Sequence, residues 1–385
     1  MLMQLIGKGR HLGYEHVLDE FWVDAQRAGV ELPQAMPVSA AAFTKARRKL
    51  KAETLRSLVL AAAGAFEREL GVHHRFHGRR VFAIDGTWIS TQRTWALLEE
   101  FDKSSKGHVP QLMATVLYDV VAKIPIDAEI TKFSSNERTH AIALIEKHVK
   151  PGDIVLLDRG FPSRELIARL RELKIDFVVR VSTKSTFNCV GAFVNSRRLE
   201  GVVDLSPDNT GFNVRIVRRQ AIRGKKLDPF VLLTSLSAAQ FAGKSLFDLY
   251  RKRWEIELFF RLQKGSYLGH DQFHAKTPDG VHQEVYALFL FMILTRSAMA
   301  TAAIEHGVPY GRISQKRAIR AVVRELVSIL RYSRLRDAYA VLKRLFEQIT
   351  RHLDPIRHPR SCPRRSFKPQ LRWTPTGKLG EREKR

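Results

Sequence analysis

Val81-Phe82-Ala83-Ile84-Asp85-Gly86-Thr87 is where the chain stops reading as helix. Four apolar residues closing on Asp-Gly describe a buried strand whose last side chain is an acid at the sheet edge. The pattern recurs at Ile154-Val155-Leu156-Leu157-Asp158-Arg159-Gly160-Phe161. Between the two copies, Gln111 to Tyr118 and Ala122 to Ile130 read as a hairpin around Asp119-Val120-Val121, followed by a helix from Glu137 to His148. Beyond the second copy, Pro162-Ser163 opens a helix to about Lys174, and Asp176-Phe177-Val178-Val179-Arg180-Val181 reads as another buried strand. Strands alternating with helices predict an α/β sheet, and chemistry in such sheets sits beyond the strand ends.

From Ser182 to Ser237 the helical signal stops. Phe187 to Val194, Asn213 to Arg218 and Phe230 to Thr234 are short β-like runs between polar turns, which predicts an all-β insertion. Next comes Tyr250-Arg-Lys-Arg253-Trp-Glu-Ile-Glu257-Leu-Phe-Phe-Arg-Leu-Gln-Lys264, without Gly or Pro and preceded by Ser245 as an N-cap candidate. At about 100° per residue, Tyr250, Arg253, Glu257 and Lys264 share a stripe about 60° wide, while Glu255 is thrown to the far side. Leu249, Ile256 and Phe259 lie beside that stripe as an apolar face able to dock on a sheet. By geometry alone the stripe also suits a solvated face of charged pairs.

Towards the N-terminus, residues up to about 78 read as helices. Ser39 caps a helix whose inner face is Phe43, Ala46 and Leu50, which turns Lys45, Arg48 and Lys49 outward, as a helix along DNA requires. His73, His74 and His77 have metal-ligand spacing but no completing Cys or carboxylate, and read as a basic linker. Towards the C-terminus lie a buried helix from His282 to about Glu305 and two amphipathic helices, Ser314 to Tyr332 and Leu335 to Leu353. Beyond Pro355, prolines alternate with arginines and lysines, the composition of a disordered basic arm. The expected division is 1–78 (helical, DNA-binding), 79–181 (core), 182–240 (insertion), 241–306 (closing helices), 307–354 (C-terminal helices) and 355–385 (tail).

The 385 residues carry 65 Lys and Arg against 39 Asp and Glu, a net charge of +26 that calls for a polyanionic partner, most often nucleic acid. Cys189 and Cys362 stand in unrelated contexts, which suggests neither a disulfide framework nor a zinc site. The N-terminus lacks a signal-peptide layout, and the apolar run from Ala287 to Leu294 is too short to span a bilayer, so a reduced cytoplasmic setting is expected.

Asp85 and Asp158 from two strands, with Glu257 from a later helix, make an all-oxygen site suited to Mg²⁺ or Mn²⁺. Two such ions can activate a water or a 3′-hydroxyl and stabilise the leaving oxygen of a phosphoryl transfer. Taken singly, an Asp at a strand end also serves as a turn or cap residue. Asp119, Asp127 and Asp153 compete by residue type, though their placement in the hairpin turn, beside Pro125 and ahead of a strand disfavours them.

The spacing Tyr250-x2-Arg253-x3-Glu257-x6-Lys264 resembles the YREK signature of DDE transposases of the insertion-sequence-four family, at all four positions. Asp85-Gly-Thr and Asp158-Arg-Gly-Phe resemble that family's first two catalytic aspartates, and Phe43 to Leu50 its N-terminal region. The resemblance covers roughly residues 39 to 300. It implies a ribonuclease-H-like core, with Asp85, Asp158 and Glu257 as catalytic and metal-binding triad. It also implies that Tyr250, Arg253 and Lys264 hold DNA; Arg180, at the end of its strand, is a further candidate for a phosphate contact or else a salt-bridge partner. The implied reaction is cut-and-paste transposition in a bacterial, nucleoid-associated setting: nicking, a hairpin made by the freed 3′-hydroxyl, its opening, and strand transfer. Some relatives hold the extruded base on a Trp of the insertion, whereas here only Phe187, Phe193, Phe212 and Phe230 are aromatic between Ser182 and Ser237. Joining two element ends implies a homodimer on double-stranded DNA, for which the helices from Ser314 to Leu353 offer apolar faces, though these suit packing within the monomer equally well. A nuclease on the same core and a DNA-binding regulator without catalysis are the alternatives.

Overall fold

The computed structural model describes residues 1–8, 13–104, 107–182, 187–206, 212–223, 226–264, 272–332 and 338–356. The chain opens with four helices, α1 (Leu2–Lys8), α2 (Tyr14–Arg27), α3 (Ala40–Arg47) and α4 (Ala52–Leu70). The central stretch is β1 (Val81–Ser90), α5 (Trp95–Phe101), β2 (Gln111–Asp119), β3 (Ile124–Lys132), α6 (Glu137–His148), β4 (Ile154–Leu157), α7 (Arg164–Glu172) and β5 (Asp176–Val181). Then follow α8 (Asn188–Asn195), β6 (Glu200–Asp204), β7 (Asn213–Arg223) and β8 (Lys226–Thr234). Five helices close the chain: α9 (Gly243–Arg251), α10 (Trp254–Lys264), α11 (Pro278–Glu305), α12 (Gln315–Ile329) and α13 (Tyr339–Thr350).

The fold is mixed α/β, built on one eight-stranded sheet in the order β3-β2-β1-β4-β5-β8-β7-β6. β1, β4 and β5 run parallel at its centre, and every other pairing is antiparallel. The central strands read as unbroken apolar runs because both faces are covered: Val81 to Ile84, Ile154 to Leu157 and Phe177 to Val179 are all buried. α11 packs along α4 and β3 and is apolar nearly all round, as a core helix must be. It is long and apolar enough to cross a membrane by composition, yet two thirds of its most apolar window is buried within the protein.

Several sequence expectations change here. β1 does not end at Asp85: it runs on to Ser90, because the ladder with β2 continues to Ser90↔Gln111. Its parallel pairing with β4 stops at Ala83↔Leu156, so Asp85 stands just past a fork, where β1 goes on and β4 ends. The stretch from Phe187 to Val194 is not a strand; α8 occupies it, burying Val190 and Phe193, so the insertion is not all-β. Nor is the insertion a separate sheet, since β8 joins β5 at Val178↔Thr234 to Val181↔Val231. The helix expected to be capped by Ser245 starts two residues earlier, at Gly243, with no side-chain cap. The linker reading of the histidines fails for His74, which is buried between Phe66 and Tyr310 and driven down to about 4 chiefly by that burial. On α3, Ala46 is exposed and Arg47 is the inward residue. The basic arm beyond Pro355 falls almost wholly outside the described residues, as do Leu335 and its neighbours at the expected start of the last helix.

Asp127 on the edge strand β3 ties the flanking helices to the sheet. Arg56 of α4 donates to both its oxygens (Nε to Oδ1, 3.0 Å; Nη2 to Oδ2, 2.7 Å), and His148 Nε2 of α6 lies 2.7 Å from Oδ2. Burial alone would raise this carboxyl, but the His148 and Arg56 hydrogen bonds overcome it and hold the group at about 2. A depressed folded value means the stabilisation is full above the ordinary carboxylate range and is lost as pH falls through about 2. Asp127→Asn removes the main charge that the part-buried Arg56 faces, leaving Glu129 at 3.6 Å, and should cost about 1.5–3 kcal/mol at pH 7. The deficit should shrink below pH 4, as urea unfolding across pH 2–7 would record.

Candidate active site

The stretch from Tyr250 to Lys264 is two helices. Between α9 and α10 the chain makes tight turns, with Arg253 N–H donating to Tyr250 O (3.1 Å) and Glu255 N–H to Lys252 O (3.0 Å). The single-helix angles therefore do not carry across Lys252–Arg253, yet Tyr250, Arg253 and Glu257 all face the acids. Arg253 is buried and its guanidinium sits between two acids: Nη1 is 3.6 Å from Asp85 Oδ2, and Nη2 is hydrogen-bonded to Glu257 Oε1. Tyr250, also buried, donates its hydroxyl to Asp158 Oδ1 at 3.2 Å. Burial first, and the Asp158 carboxylate second, hold the Tyr250 phenol well above its usual value.

The sheet explains the convergence. Asp85 stands past the β1–β4 fork, Asp158 follows the last residue of β4, and α10 crosses near β1 to deliver Glu257. Asp85 is raised to about 7, by burial first; Arg253 opposes the rise, and the carboxylates of Glu137 and Glu257 add to it. Asp85 and Glu257 keep side-chain exposures of 26% and 29%, so solvent and solutes reach both.

Glu137, the first residue of α6, belongs to the same cluster. Its carboxyl reaches the backbone of Gly86, next to Asp85, and is repelled by Asp158. Sequence reasoning used Glu137 only as a helix start, and an acid in a helix's first turn is too common a signal to have marked it. The competing acids are engaged elsewhere. Asp119 accepts from Arg80 Nε (3.1 Å) and from the Ala122 amide (2.9 Å), Asp127 holds Arg56, and Asp153 caps the Lys150 amide (3.0 Å).

Arg180 is near the cluster: its guanidinium lies over the Phe230 ring at 4.5 Å, and that ring packs on Tyr250 at 5.6 Å. Lys264 ends α10, about two turns beyond Glu257. Glu255 faces the other way, as its angle predicts, and pairs with Lys123 at 2.8 Å. Lys45, Arg48 and Lys49 are exposed and lie apart from the acids, the first two lining a cavity of about 980 Å³ with Tyr14, His274, Lys276 and Gly280. Beneath them Arg47, missed by the sequence reading, donates to Glu284 (2.9 Å), Gln283 (2.8 Å) and the Gly280 carbonyl (2.6 Å), fixing α3 to α11.

Chemically, Arg253 pairs with Asp85 and Glu257, and Glu137 and Asp158 add further negative charge beside them. All their donors are hard oxygens, the set that suits magnesium or manganese. Among the described residues no three acids or histidines stand close enough to enclose an ion as they are, and Arg253 occupies the space between Asp85 and Glu257.

Comparison with known proteins agrees with this chemistry. A family profile described as "Transposase DDE domain" matches residues 76–294, more than half of the chain and all four acids. The transposase InsG for insertion sequence element IS4 of Escherichia coli (strain K12) is 24% identical over 294 residues, 73% of this chain. The match spans 65% of that relative's length. The cryo-EM structure of the piggyBac transposase synaptic complex with hairpin DNA is similar over 92% of this chain and 79% of its own, at 12% identity and a TM-score of 0.47. On the match of residues 76–294, this chain belongs to the family of transposase DDE domains.

Proposed function

We propose that the protein is a DNA transposase of the insertion-sequence-four kind, carrying the YREK signature and acting by cut-and-paste on an element's inverted terminal repeats. The observation that carries this reading is the meeting of Asp85, Asp158 and Glu257 at the fork of the central strands, bridged by Arg253 and Tyr250. The strand order, with an antiparallel β3-β2-β1 meander beside parallel β4 and β5, supports a ribonuclease-H-like core. The net charge of +26 supports a DNA partner.

In this reading Asp85, Asp158 and Glu257 hold two divalent ions, magnesium or manganese, which when bound activate a water or 3′-hydroxyl and stabilise the leaving oxygen. Tyr250 fixes the Asp158 carboxylate through its hydroxyl. Arg253 keeps Asp85 and Glu257 together before loading, and on release from them its fork of donors suits the phosphate being cut. Arg180 and Lys264 bind neighbouring phosphates, while Lys45, Arg48 and Lys49 hold DNA further from the chemistry. A hairpin step needs a ring for the extruded base, and Phe187 and Phe193 are buried while Phe230 already packs between Arg180, Phe247 and Tyr250. Residues 1–78 serve as the DNA-binding region and the β-containing segment 182–240 as an insertion in the core; the protein works as a homodimer on DNA, but the apolar faces of α12 and α13 are already packed within the protomer, against each other and α11. The setting is the bacterial cytoplasm, on the nucleoid.

Two measurements test the reading. On labelled element ends, the protein should cut in Mg²⁺ or Mn²⁺ and not in EDTA. Glu257→Gln should bind the same DNA and cut roughly a thousandfold less or worse. Binding without cutting in any metal would leave a DNA-binding regulator instead, and 3′ ends never joined to target would leave a nuclease. The second measurement concerns Asp85, raised to about 7 mainly by burial. Its folded value lies above the unfolded one, so its share of stability is full below the ordinary carboxylate range and is lost as pH rises through about 7. Metal-free protein should therefore lose melting temperature between pH 5 and pH 8 relative to Asp85→Asn. Parallel pH profiles for the two proteins would contradict the burial of this acid.

A further inference from the structure

Beyond Asp85 the sheet carries an aromatic surface that the acids do not use. Trp88, three residues further along β1 and so about 10 Å from Asp85, is 49% exposed. Side chains alternate along a strand, which puts Trp88 on the face of Gly86, where the ladder aligns it with Met113 and then Thr131. Its ring meets that of Phe133 at 5.9 Å, tilted by 39°. The plain role for such a ring is to cover the buried Met113. A covering tryptophan, however, ends mostly out of water with its N–H bonded, as Trp22 does at 7% exposure by donating to the Gln34 carbonyl at 3.1 Å. Trp88 leaves half its area in solvent, and among the described residues no hydrogen bond reaches its N–H.

This surface runs into the acid site. A Cβ placed on Gly86 would meet Met113 Sδ at 3.1 Å and Glu137 Oε1 at 2.5 Å, so the cross-strand neighbour of Trp88 and a carboxyl beside Asp85 flank the same glycine. Its border is basic. Lys132 precedes Phe133, Arg138 follows Glu137 and donates to the Gly160 carbonyl at 2.9 Å, and Arg159 precedes that glycine. All three are exposed, and among the described residues none is paired with an acid. An indole with a free face, ringed by unpaired cations, is the combination that holds single-stranded nucleic acid, bases on the ring and phosphates on the cations. A duplex hides its base faces in its own stack, so the ring suits a base that has left it.

We propose that Trp88, backed by Phe133, is a stacking platform for an unpaired base of the DNA strand brought to the acids, with Lys132, Arg138 and Arg159 on the phosphates around it. This rests on the DNA reading of the site and adds to it the state in which the strand is held.

The test is filter binding of labelled oligothymidylate, about eight nucleotides long, to the full chain in EDTA, with a relaxed circular duplex alongside. Trp88→Leu, which keeps an apolar cover over Met113, should weaken oligothymidylate binding roughly tenfold, and Trp88→Phe should keep most of it. Both should bind the circle as the unaltered chain does. The salt dependence of oligothymidylate binding should be unchanged in Trp88→Leu, because no phosphate contact is lost, and shallower in Arg138→Gln. Equal oligothymidylate affinity in Trp88→Leu and the unaltered chain, or an equal loss on the circle, overturns the platform and leaves the DNA reading standing. A Trp88 that only covers Met113 gives the first of these results together with a lower melting temperature. Failure of the unaltered chain to bind either DNA overturns the DNA reading and the platform with it.

Discussion

Like charges held close away from water repel strongly, and this chain gathers Asp85, Glu137, Asp158 and Glu257 in one place, with Arg253 between Asp85 and Glu257. Much of the surrounding architecture serves that arrangement. β1 and β4 are locked in register up to Ala83↔Leu156, so Asp85 and Asp158 leave the sheet at fixed positions. Arg253 is driven into the interior to stand between Asp85 and Glu257, and two tight turns in the backbone put it there. A cluster so poor in positive charge is a poor way to stabilise a fold and a good way to attract cations.

The rigidity needed to hold it comes from elsewhere. α11 runs through the interior against α4 and β3, and α4 is in turn pinned to β3 through Arg56 and Asp127. Close by, in the first turns of α11, Glu284 and Gln283 receive Arg47, so α3 and the exposed lysines and arginine at its end are borne by the same scaffold as the sheet. The exposed basic face and the acidic cluster are thereby carried by one scaffold.

Much of this was legible in the sequence, and the reasons differ by element. The apolar runs at Val81 and Ile154 read as central strands because only strands covered on both faces lose the two-residue alternation. Asp85, Asp158 and Glu257 stood out because acids at strand ends and on one helix stripe are unusual company on a basic chain. What escaped was set by partners distant in sequence. β1 runs past Asp85 because β2 lies beside it, which no local pattern records. Phe187 to Val194 has the β-branched and aromatic content of a strand, yet it coils to bury Val190 and Phe193. Arg47 was read past because an arginine among lysines predicts solvent, and its burial depends on Glu284, 237 residues away. Glu137 was hidden because its carboxyl meets the backbone of Gly86, 51 residues earlier in the chain.

The break at Lys252–Arg253 has a geometric consequence. Tyr250 is carried by α9, whose Phe247 rests on Phe230 of β8, while Glu257 is carried by α10, whose Phe259 rests on Tyr118 of β2. The grip on Asp158 and the acid beside Asp85 therefore ride on two separate arms, seated on opposite wings of the sheet and joined at an elbow two residues long. In an unbroken helix the spacing between them would be a fixed translation along one axis. Here it passes through a run of tight i→i+3 turns, so the spacing is set by those turns and by the two seats on the sheet rather than by one helix axis.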